Sequence, residues 1–131
     1  MKFAKIVFYI AGIWGVLVIA PLFFLLDFVG KQSPPAITHA ELYYGFVIVT
    51  LMWEISFFII ARDPARYRAF MIPPAVMKVG YATLIVLFSM QGRLGHEQYF
   101  FASVDYLLAF LFLIAFNRVG AETLNHHLRR E

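Results

Sequence analysis

Hydrophobic residues in this chain gather into four long runs, Ile6–Leu26, Leu42–Ala61, Phe70–Met90 and Tyr99–Phe116, of 21, 20, 21 and 18 residues. Polar segments of 15, 8 and 8 residues separate them. A helix rising about 1.5 Å per residue needs about 20 residues to cross a hydrocarbon core of about 30 Å. Each run is long enough, the last narrowly. The runs are continuously apolar, without the alternation of a membrane strand, and lipid offers backbone groups no outside partner. The pattern predicts an all-α fold: an integral membrane four-helix bundle, one domain over 1–131, running up-down-up-down, with 117–131 as a polar cytoplasmic tail.

The first run follows Lys2 and Lys5, as a signal peptide would. Its length and the sequence Val18-Ile19-Ala20-Pro21, which lacks a small-x-small cleavage site, favour a spanning helix instead. Ala11 and Gly15, four apart with Gly12 beside them, give that helix a small-residue face open to close helix contact. Pro21 should bend its outer third. The outer segment Asp27–Glu41, with Gly30, Ser33, Pro34 and Pro35, reads as extended chain. Asp63 before Pro64 should cap a short surface helix running through Arg66 and Arg68, and Pro73-Pro74 should break or bend the entry to the third span. The tail, with His126 and His127, reads as an extension of the fourth helix.

Composition agrees: 62% of residues are hydrophobic and only 15% charged, outside the soluble range. Basic residues set the orientation. Lys2, Lys5, Arg62, Arg66, Arg68, Arg118, Arg129 and Arg130 fall on one side, against Lys31 and Arg93 on the other. Both termini are therefore predicted to be cytoplasmic. The net charge of +3 reflects this asymmetry and contact with anionic lipid rather than nucleic-acid binding. The absence of cysteine excludes disulfides, thiol redox relays and thiolate metal sites.

Two charges interrupt the runs. Glu54 lies eight residues before Arg62, roughly 12 Å deep at the helical rise, and Lys78 is at a similar depth in the next span. A charge at the bilayer centre costs about 2.5–3.5 kcal/mol on insertion scales, so pairing is the economical arrangement. Asp105 is roughly 18 Å from the inner edge. Side chains lean toward their helix N-terminus, which tilts Lys78 inward and Asp105 outward and favours Glu54 as the partner. Thr50 shares the face of Glu54, Tyr81 shares that of Lys78, and Trp14 reaches similar depth. The pair reads either as a fastener fixing helix register or as a site for a proton, ion or small ligand. If Asp105 joins, two carboxylates face one lysine, an excess suited to a proton or cation.

Weaker groupings add little. Arg62, Arg66 and Arg68 could hold a phospholipid headgroup, although positive-inside topology accounts for them. His39 with Glu41 and His96 with Glu97 match no metal motif. No catalytic motif or haem-ligand pair appears, so no metal or cofactor is predicted.

The stretch Tyr43-Tyr44-Gly45-Phe46 through Trp53, then Arg62-Asp63-Pro64 with Arg66 and Arg68, and Lys78 through Gln91-Gly92-Arg93, resembles small bacterial four-helix membrane proteins. The layout is similar to the DoxX-like group. The resemblance implies a bacterial inner-membrane protein and brings no catalytic residues with it. The reading that results is a non-enzymatic accessory or assembly protein in contact with membrane lipids, a homo-oligomer or a subunit of a larger membrane complex. The alternative is a small proton- or cation-coupled transporter, or a lipid- or small-ligand-binding membrane protein.

Overall fold

The computed structural model describes residues 1–32 and 34–129, apart from the side chain of His127. Ser33 of the outer segment, Arg130 of the basic count and the final residue of the tail lie outside the described residues. The rest forms five α-helices: α1 (Lys2–Ile19), α2 (Leu26–Gln32), α3 (Ala40–Arg62), α4 (Ile72–Met90) and α5 (Gln98–Leu128). Four helical stretches, Lys2–Phe24, Ala40–Arg62, Arg68–Met90 and Gln98–His126, are long and apolar enough to cross a membrane. They match the four runs, and α5 continues past Phe116 through the polar tail.

The prolines fall where a helix tolerates them. Pro73 and Pro74 occupy the first turn of α4, whose N–H groups have no helical partner in any case, so they start the helix rather than break it. Pro21 lies in a 3-10 turn, Ala20–Phe24, that ends the first span. The Tyr43 hydroxyl donates to the Leu22 carbonyl at 2.8 Å and ties this turn to α3.

Two connections differ from expectation. Leu26–Gln32 is helical, not extended: Asp27 in its first turn and Lys31 in its last suit the helix dipole. Gly30 lets the following chain fold back: a Cβ there would lie 3.3 Å from the Ile37 nitrogen. After α3, the Arg66 N–H donates to Asp63 Oδ1 at 3.1 Å, as a cap should. Only turns and a 3-10 segment, Arg68–Met71, follow, in place of the surface helix.

Large apolar side chains such as Ile6, Ile10, Ile13 and Leu17 face outward, while Ala4, Ala11, Gly12 and Gly15 are buried. Lipid tails are as apolar as leucine, so helix association in a bilayer rests on close packing rather than on hydrophobic burial. The small face of α1 meets this need within the chain. A Cβ on Gly12 would lie 2.9 Å from the Phe58 ring and 3.1 Å from the Glu54 carbonyl oxygen. That face is thus occupied by α3 and is not free for a partner helix.

α1 packs on α3 and α5, and α5 packs most extensively on α4. One half of the bundle is solid, with Phe8, Phe57 and Phe112 fully buried at its centre. Phe8 and Phe112 stack at 4.4 Å, and Phe57 meets both edge-on at 5.7 and 5.1 Å. α3 and α4, despite their short connection, meet mainly through side chains. The start of α4 is instead held to α5: Arg68 Nε donates to the Phe116 carbonyl at 2.9 Å, and its guanidinium lies 3.8 Å over the Phe116 ring.

Candidate functional site

The gap between α3 and α4 is a cavity of about 470 Å³. α1, the Val29 side of α2, α3, α4 and α5 all line it. It runs from Leu22, Val29, Tyr43 and Gln98 down to Glu54, Lys78 and Asp105. Phe57 lies just beneath, its ring 5.9 Å from Lys78 Nζ, and marks the start of the solid half.

Helical spacing builds the walls. Phe46, Thr50 and Glu54 recur every four residues on α3, Gln98, Phe101 and Asp105 follow one face of α5, and Lys78, Tyr81 and Ile85 follow one face of α4. Phe46 and Tyr81 stack across the gap with ring centres 5.9 Å apart. Every residue predicted for the polar core (Thr50, Glu54, Lys78 and Tyr81, with Trp14) lines this one cavity, and so does Asp105, which side-chain lean sets apart.

Lys78 is 5% exposed and Glu54 2%. Lys78 Nζ donates to Glu54 Oε1 at 3.4 Å and to Asp105 Oδ1 at 3.0 Å. The expectation that Asp105 stands apart is therefore corrected. The lean of a side chain shifts its reach by only about one residue position, less than the flexible stem of a lysine covers. Close α4–α5 packing brings Asp105 to the same level. Among the described residues, Glu54 Oε2 is buried without a hydrogen-bond partner. Its carboxyl occupies the space left by Gly15, where a Cβ would overlap it.

The arrangement is one ammonium between two carboxylates, with one buried oxygen unsatisfied. Leaving such an atom unpaired costs about 1–3 kcal/mol, more when charged. An incoming donor relieves that cost.

The remaining candidates lie elsewhere. Arg62 and Arg66 are exposed near the end of α3, but Arg68 is committed to α5. His39 Nδ1 lies 3.4 Å from Glu41 Oε1, both exposed, and the His96 ring stacks on Tyr99.

Sequence reasoning missed Gly15 as the space-giver for Glu54, and Gln98, Phe101 and Val29 as cavity residues. The spacing of Gln98, Phe101 and Asp105 on one helical face was a usable signal. The seating of Val29 depended on a helix that composition did not reveal.

No protein-family model matches the chain, and no curated protein or solved structure matches it either.

Proposed function

We propose that this chain is a multi-pass protein of a bacterial inner membrane that binds a small ligand in the α3–α4 cavity, coupled to a proton or cation at Glu54, Lys78 and Asp105. On the positive-inside reading both termini are cytoplasmic, the helices run up-down-up-down, and the cavity faces the outer side. Arg62 and Arg66 then meet anionic headgroups at the inner surface.

One observation carries this reading: the three intramembrane charges form the floor of a cavity, and one of their oxygens has no hydrogen-bond partner among the described residues. A fastener needs neither feature. The volume falls within the roughly 300–1,000 Å³ range of ligand pockets. The accessory reading loses one support, because the small face of α1 is filled by α3. It keeps another, since Lys78 bridges helices whose backbones barely meet.

Proteoliposomes with an internal pH indicator separate the two readings. Small cations, anions and zwitterions are added in turn to wild type and to the double variant Glu54→Gln, Lys78→Met. Proton movement driven by one class in wild type and lost in the folded double variant supports ligand coupling. Identical traces across the panel leave only the fastener.

A further inference from the structure

We infer that the ligand is an organic ammonium ion with an apolar body, its head at Glu54 and Asp105 and its body against the aromatic wall. This rests on the cavity being a binding site and names what fills it.

Charge is the first argument. Two carboxylates share one lysine, so the floor carries one negative charge in excess when both are ionised, and among the described residues no other charged side chain lines the cavity. Hydrogen-bond capacity is the second. Lys78 donates to both carboxylates, yet Glu54 Oε2, which lies against Gly15, has no partner among the described residues in a side chain only 2% exposed. What the floor lacks is a donor, not an acceptor.

The walls give the third argument. Trp14, Tyr43, Phe46, Tyr81 and Phe101 all line the cavity. Aromatic faces attract cations, by about 2 kcal/mol or more when desolvated. A metal ion or a bare proton has no use for about 470 Å³ of largely apolar space, whereas an alkyl or aryl body does. The seam between α3 and α4 is closed by side chains such as Phe46 and Tyr81 rather than by packed backbone.

Trp14 reports on the cavity once Trp53, which lines a separate groove on α3, is replaced. The Trp53→Phe protein in phosphatidylcholine nanodiscs is titrated with octylammonium, octanol, octanoate and tetramethylammonium while Trp14 emission is followed. We expect octylammonium to saturate at least tenfold more tightly than the other three. Asp105→Asn, which keeps the Glu54–Lys78 pair but neutralises the excess charge, should remove at least tenfold of that affinity. Octanol binding equally well, or no effect of Asp105→Asn, overturns the inference. Preference for octanoate makes Lys78 the reader, which overturns the inference and leaves the binding cavity standing. If no probe binds, the ammonium ligand is rejected, and labelling of Thr50→Cys from water then decides whether the cavity reading falls with it.

Discussion

Gly15 on α1 leaves the space that the Glu54 carboxyl on α3 fills: a methyl group at Gly15 would overlap the carboxyl itself. The depth of the charge and the approach of the two helices are thus one feature. Gly15→Ala must turn Glu54 out of its seat or push α1 away. Overpacking of this kind costs about 1–3 kcal/mol, read as a lower unfolding midpoint in detergent. Gly80→Ala is the matched control, because nothing lies within 4 Å of that position. It should be neutral or stabilising by up to about 1 kcal/mol.

The charge series should be asymmetric. Lys78→Met strands two carboxylates, and removing the sole partner of a buried charge costs about 3–5 kcal/mol. Glu54→Gln and Asp105→Asn each leave Lys78 with one carboxylate, so both should be milder. The double variant Glu54→Gln, Lys78→Met should recover the part of that loss due to Glu54, while Asp105 stays without its lysine. Thermal unfolding of the four proteins checks the order; equal losses in all three single variants would mean that Lys78 does not serve both acids.

Arg68 should behave as a structural pin. Lysine cannot both donate to the Phe116 carbonyl and lie flat on its ring. Arg68→Lys should therefore destabilise nearly as much as Arg68→Ala, by about 1–3 kcal/mol. Gly120→Ala would place a methyl 2.6 Å from the guanidinium and should weaken the same contact. A shift in headgroup affinity with unchanged stability would contradict this role.

The spans were legible because a bilayer imposes length and continuous apolarity, and Leu42–Ala61 and Phe70–Met90 differ from the observed α3 and the Arg68–Met90 stretch by two residues at most at either end. The meeting of Glu54 and Lys78 was legible because an unpaired intramembrane charge is costly. Asp105 was misjudged because side-chain lean was weighed without helix register, and register depends on how α4 packs on α5. The cavity was not legible at all. It exists because glycines draw α1 onto α3 while Arg68 holds the start of α4 to α5, and no local pattern encodes that division.

The Glu54–Lys78–Asp105 cluster floors an open cavity. Thr50 lines that cavity above Glu54, and the chain has no native cysteine. Thr50→Cys in intact proteoliposomes should react with a small, membrane-impermeant thiol reagent, faster with a cationic reagent than with an anionic one of equal size. Ala115→Cys, in the solid half, should stay unreactive under the same conditions. Thr50→Cys that reacts only after denaturation would contradict the account and leave the three charges as a sealed fastener.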